Sequence, residues 1–179
     1  IAHVPHPALL PHVVEAPLGA AVVVHEILVQ MDRGKVNAIN EALIEQLAGS
    51  FSSLEREPEV RCVVLTGIGK FFSFGFDIPE FLSWSKHDFS GFLVKFTSFY
   101  RGLFQFPKPV VAALNGHAIA GGCILALCCD YRYVAEGRTL TGLNEVALGL
   151  RFPPRLLRIL RHQLGDRRRP GARRPQGRH

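Results

Sequence analysis

The stretch NGHAIAGGCILALCCDYR, Asn115 to Arg132, decides the fold. Gly121 and Gly122 stand directly before an apolar run that shows no polar face until Asp130. A helix that is apolar all round is buried on every side. Glycine in a helix costs about 1 kcal/mol relative to alanine, so two glycines at this start need a reason. Two reasons stay open. The N-terminus of a helix exposes unpaired N–H groups and a partial positive charge, and glycine lets another molecule approach them closely, making a socket for developing negative charge. Alternatively, glycine gives clearance where a helix packs on a strand.

Working outward, β-branched and apolar runs alternate with helical periods. AAVVVHEILVQM (Ala20–Met31), RCVVLTG (Arg61–Gly67), KPVVAALNG (Lys108–Gly116) and YRYVAE (Tyr131–Glu136) read as strands. DRGKVNAIN turns the chain, and a helix starts near Asn40, with Leu43, Leu47, Phe51 and Leu54 at helical spacing and Pro58 beyond its end. KFFSFGFDIPEF reads as a loop ending in a short helix, with Pro79 in the first turn. A longer helix is expected from Asp88 to Phe106, its core stripe formed by Phe89, Phe92, Phe96, Phe99 and Leu103. The alternation of strand and helix defines an α/β protein.

The 179 residues suffice for one domain with a proper core. Residues 1–19, with four Pro and three His, are expected to be an irregular arm, residues 20–165 the core and residues 166–179 a disordered Arg-rich tail. The net charge of +6 is unevenly spread: residues 151–179 hold ten Arg and one acid, while residues 1–150 hold 11 basic and 14 acidic side chains. The basic end lacks aromatic interleaving, so specific nucleic-acid binding is not expected. A helix is expected after Pro154. No run reaches the ~18 apolar residues of a membrane span, and the N-terminal stretch carries no clear secretory signal. Cys62, Cys123, Cys128 and Cys129 lie in apolar segments without a C-x-x-C pair. They read as buried free thiols in a reducing compartment, with a cytoplasmic location and no metal site.

Three further places carry chemistry. SFGFD (Ser73–Asp77) follows a strand end and centres on Gly75, so a second group of N–H donors could face the same oxygen as the first; Asp77 suits the cap of the following helix. Glu145, in TGLNEVALGL, has apolar neighbours and no adjacent base. Partial desolvation raises a carboxyl pKa toward that of a general base; the plain alternative is a surface glutamate on a turn. His117 is read as a packing residue, and Lys35 and Lys70 as solvated lysines or contacts for phosphate.

RGKVNAINEAL, VVLTGIGKFFSFGFDIPEF, PKPVVAALNGHAIAGGCILALCCDYR and GLNEVALG together resemble the crotonase superfamily, the enoyl-CoA hydratase/isomerase group. The resemblance covers about residues 20–165 and implies a spiral of ββα turns, ending early at the C-terminus relative to the family. It implies an acyl-CoA thioester as substrate, with coenzyme A entering as part of it and no separate cofactor. A homotrimer or hexamer is implied if the C-terminal helices are present. Position by position, it implies an oxyanion hole from the main-chain N–H groups of Phe76 and Gly121, with Glu145 as the catalytic acid–base. Ser73, Phe74, Gly75, Asp77 and Gly122 are implied to line the bound thioester. Hydratases of the group commonly carry a second glutamate three residues after the oxyanion glycine, where this chain has Ile124. One carboxylate with an apolar partner, and the segment Gly142–Glu145, resemble the Δ3,Δ2-enoyl-CoA isomerase branch. A hydratase, another enolate-forming crotonase and an inactive CoA-binding subunit are the alternatives.

Overall fold

The computed structural model describes residues 9–15, 21–144 and 152–165. Its main sheet has five strands in the order β1-β2-β4-β7-β9: β1 (Leu9–Glu15), β2 (Ala21–Gln30), β4 (Cys62–Thr66), β7 (Val110–Leu114) and β9 (Tyr131–Val134). All neighbours are parallel except β1, which runs antiparallel to β2. A second layer holds two small parallel sheets: β10-β8-β5 (Thr141–Gly142, His117–Ile119, Phe71–Ser73) and β3-β6 (Ala38–Ile39, Gly75–Phe76). Each turn of the chain thus visits the main sheet, then the small layer, then a helix. This is the expected ββα spiral.

Two expectations are corrected. Residues 9–15 are a strand rather than part of an irregular arm. Pro11 does not prevent this because β1 is an edge strand, where a missing N–H can face away from the ladder. The segment read as a loop before the short helix contains β5 and β6.

The helices follow their caps. Helix α1 (Glu41–Arg56) begins where the Asn40 side chain accepts from the Leu43 N–H at 3.0 Å. Its buried face is Leu43, Ile44, Leu47, Phe51 and Leu54. Lys108 Nζ donates to the Leu54 and Glu57 carbonyls at its end (2.6 and 2.5 Å). Helix α2 (Ile78–Phe81) is short. Helix α3 (Lys86–Phe104) starts two residues before the expected Asp88, because the Ser85 Oγ caps the Asp88 N–H at 3.1 Å. Helix α4 (Gly121–Cys128) is buried at all eight positions, as its sequence requires. Helix α5 (Pro154–Leu164) packs Leu156, Ile159 and Leu160 inward and pairs Gln163 with Arg132 at 3.1 Å.

Alternate residues of β4 and β7 supply the floor of the core: Val63 and Leu65, Val110, Ala112 and Leu114. Above them, the α3 stripe forms a ring cluster in which Phe92 and Phe96 meet the Phe76 ring at 5.1 and 4.9 Å. Cys123, Cys128 and Cys129 are buried and Cys62 is half-buried. Burial pushes the Cys128 thiol up to about 12 and the Cys129 thiol higher still.

Tyr100 is fully buried among these rings, and among the described residues its hydroxyl has no hydrogen-bond partner. A buried polar group left unpaired costs about 1–3 kcal/mol. Tyr100→Phe should therefore raise stability by about 1 kcal/mol in urea denaturation.

Candidate functional site

The site is assembled where the second and third turns of the spiral touch. Two main-chain segments meet there: Ser73–Asp77, which leads from β5 through β6 into α2, and Ala120–Gly122, which opens α4. Gly75 has φ +94, a conformation that side chains disfavour. A Cβ on Gly75 would stand 3.0 Å from the Ala120 Cβ and 3.2 Å from the Gly121 nitrogen. A Cβ on Gly121 would stand 3.0 Å from the Phe76 ring. The two segments are therefore in direct contact at Gly75, Phe76 and Gly121, and the positive φ at Gly75 favours glycine there.

The opening of α4 is strained as well as bare. Ala120 has φ 47 and ψ −120, and no side chain caps the helix. Such a conformation costs a non-glycine residue about 1–3 kcal/mol. It is held from both sides: the Ala120 N–H donates to the Gly142 carbonyl of β10 at 2.9 Å, and the Ala120 carbonyl accepts the Ile124 N–H at 3.0 Å. The latter is the first turn of α4, so the amides of Gly121, Gly122 and Cys123 precede any i→i−4 acceptor. Ile124 is buried at 4% exposure.

The remaining expected residues fall into different places. Phe74 is half-exposed, packs edge-on against Phe71 at 5.7 Å and donates its N–H to the Val36 carbonyl at 3.0 Å. The Phe76 ring turns inward onto α3. Ser73 and Gly122 face each other beneath the surface: Ser73 is at 0% exposure, its Oγ donates to the Asn37 carbonyl at 2.7 Å, and it accepts the Gly75 N–H at 3.2 Å. A Cβ on Gly122 would overlap the Ser73 carbonyl oxygen. These two residues support the loop from behind. Asp77 caps α2 through the Glu80 N–H (3.3 Å) and pairs with Arg33 at 2.7 Å, so its carboxylate is already engaged.

Glu145 lies outside the described residues. The described chain reaches Asn144, and β10 just before it pairs with β8, Gly142 opposite Ile119. His117 Nδ1 accepts the Leu140 N–H at 3.0 Å and its ring packs on Phe71 at 5.2 Å, an arrangement that fits a packing residue. Lys35 and Lys70 are exposed.

Sequence reasoning missed the roles of Arg33 and Asn37, which were read as part of a turn, while Asn40 was expected at a helix start. Asn37 is fully buried at φ 47; its side chain accepts the Arg33 N–H at 2.7 Å and donates to the Phe71 carbonyl at 3.1 Å. Asparagine tolerates this left-handed conformation better than most residues, and an Asn directly before a short apolar pair was the available signal.

A groove of about 410 Å³ opens elsewhere, between α1 and α3, lined by Ala48, Phe51, Phe99 and Phe106 among others. None of the glycine-loop residues borders it. Among the described residues, no helix is long and apolar enough to cross a membrane, and no cluster of His, Cys, Asp or Glu could hold a metal ion.

Spiral, paired loops and bare helix start define a crotonase-fold protein. The chain belongs to the enoyl-CoA hydratase/isomerase family, whose sequence pattern matches residues 24–171. It is 33% identical over 159 residues to human mitochondrial enoyl-CoA delta isomerase 1, covering 86% of this chain and 50% of that one. It is 41% identical over 110 residues to mitochondrial enoyl-CoA hydratase of Pongo abelii, covering 61% of this chain and 37% of that one. The crystal structure of human mitochondrial Δ3,Δ2-enoyl-CoA isomerase superposes with a TM-score of 0.75 at 32% identity, over 79% of this chain and 56% of that one. The chain thus spans about half or less of the length of these curated relatives.

Proposed function

We propose that this chain binds an enoyl-CoA thioester and moves its double bond from C3 to C2 through an enolate. The main-chain N–H groups of Phe76 and Gly121 hold the thioester oxygen, and Glu145 carries the proton. The supporting observation is the contact of Gly75–Phe76 with Ala120–Gly121, which brings two donor-bearing segments to one place. Such donors act at ~3 Å from the developing oxyanion.

The step balances within one carboxyl group. The Glu145 carboxylate takes a proton from C2, and the electron pair of that C–H bond spreads into a dienolate whose charge rests on the thioester oxygen. The protonated Glu145 then returns the proton at C4, leaving C2=C3. Glu145 follows Gly142 by three positions, a reach of at most about 11 Å for extended chain. Gly142 is itself bonded to Ala120 at the opening of α4.

Ile124 favours isomerisation over hydration. It sits one helical turn into α4, in the position where the hydratase pattern has its second glutamate, and an isoleucine there neither ionises nor orients water. Hydration is the second reading, favoured by the identity to the Pongo abelii hydratase. Product analysis separates the two. With a 3-enoyl-CoA, the expected product is the 2-enoyl-CoA. Rapid conversion of a 2-enoyl-CoA to a 3-hydroxyacyl-CoA would replace this reading with the second, and acyl-CoA binding with no exchange of the C2 proton would point to an inactive subunit.

A further inference from the structure

Phe76 is flanked by several polar ties, three of which converge on one side chain. The Arg33 guanidinium donates through Nη1 to the Ala38 carbonyl at 2.9 Å and to Asp77 Oδ2 at 2.7 Å, and through Nη2 to Glu80 Oε2 at 2.9 Å. Glu80 is also held by Asn40 Nδ2 at 2.9 Å. Ala38 belongs to β3, the ladder partner of β6, with Ile39 opposite Phe76. Asp77 is the residue after Phe76, and its own N–H donates to the Ile39 carbonyl at 2.9 Å. On the other side, the Gly75 N–H is held by Ser73 Oγ. Arg33 thereby fastens both the strand beside Phe76 and the residue following it.

We propose that Arg33 is a positioning residue that sets the direction of the Phe76 N–H through Asp77 and Ala38. The inference rests on the reading of Phe76 as an oxyanion donor. Geometry argues that Arg33 does more than pair charges. The Arg33 and Asp77 side chains are only 21% and 19% exposed, so the pair is partly withdrawn from water. Its three acceptors lie on three different elements, β3, the α2 cap and α2 itself. A planar fork of fixed donors can serve all three at once, whereas an ammonium group is a single compact point. Glu80 passes the restraint on to the cap of α1 through Asn40, so the loop is held between two helix starts. Loss of the fork would leave Asp77 as an α2 cap and free β6 to rotate about Gly75, the φ +94 residue with the least resistance to it.

The test compares the wild-type chain with Arg33→Ala and Arg33→Lys. Turnover of a 3-enoyl-CoA is expected to fall 10- to 100-fold in kcat for Arg33→Ala, with KM changed less than threefold. Guanidinium at millimolar concentration should restore part of the loss in Arg33→Ala and none in an Asp77→Asn control. A residue serving stability alone would lower the melting temperature but leave kcat of the folded fraction unchanged, and that result would overturn the proposal. A readout independent of activity is amide exchange at Gly75 and Asp77, expected to quicken at least tenfold in Arg33→Ala while β7 is unaffected. If the wild-type chain turns over neither 3-enoyl-CoA nor 2-enoyl-CoA, the functional reading fails and the exchange rates alone decide: unchanged exchange overturns the positioning role, and local acceleration sustains it. Should Arg33→Ala not fold, Arg33→Lys supplies the same comparison, with a kcat loss and local exchange intermediate between wild type and no clamp; wild-type values of both would overturn the proposal.

Discussion

Replacing Glu145 with glutamine should lower kcat for a 3-enoyl-CoA about 10³-fold, with a much smaller change in KM. The amide keeps the size and polarity of the side chain but can neither take the C2 proton nor return it at C4. General acid–base catalysis by one positioned group contributes about 10²–10⁴-fold. The same residue is proposed for both proton transfers, so no second group should rescue the reaction. Steady-state kinetics on the purified variant gives the answer, and equal rates in the two proteins would remove Glu145 from the mechanism.

Alanine at Gly122 should cost about 3 kcal/mol of folding stability, the upper part of the usual range for overpacking. The added Cβ would overlap the Ser73 carbonyl oxygen and come within 2.8 Å of the Ser73 Cβ. Neither neighbour can yield cheaply. One is backbone, and the other belongs to a fully buried residue pinned to the Asn37 carbonyl. Gly49→Ala is the control: Gly49 lies on the exposed side of α1 with no atom within 4 Å of an added Cβ. There alanine should stabilise by about 0.5–1 kcal/mol, because glycine weakens a helix interior. Urea denaturation of the two variants should show shifts of opposite sign, and a Gly122→Ala protein as stable as wild type would contradict the packing described here.

The contrast bears on the question raised by the double glycine. The clearance reading left open by the sequence is observed at both residues. Gly122 gives clearance against Ser73. Gly121 opens the way between the helix start and the Phe76 segment. The sequence alone could not separate them, because the distinction depends on which strand lies across the helix start.

Legibility followed element length. Helices α1 and α3 were readable because Leu43, Leu47, Phe51 and Leu54, and then Phe92, Phe96, Phe99 and Leu103, repeat over several turns. Helix α4 was readable from its lack of any polar face. The strands of two or three residues, β3, β5, β6, β8 and β10, were not, since so few residues cannot display an alternation. Those short strands position the candidate site. Their pairing turns Gly75 toward Ala120 and ties Gly142 to the α4 start, and both facts are long-range. Arg33 was illegible for the same reason: its acceptors Asp77 and Glu80 lie 44 and 47 residues away.

In the proposed mechanism two main-chain amides polarise a thioester carbonyl. Infrared difference spectroscopy of bound acyl-CoA carrying a ¹³C-labelled thioester carbonyl reads that polarisation on the bond itself. A carbonyl stretch at lower frequency on the protein than in water is expected, because fixed donors in a partly dry site weaken the C=O bond more than solvent does. A stretch at or above the aqueous frequency in the bound state would contradict it.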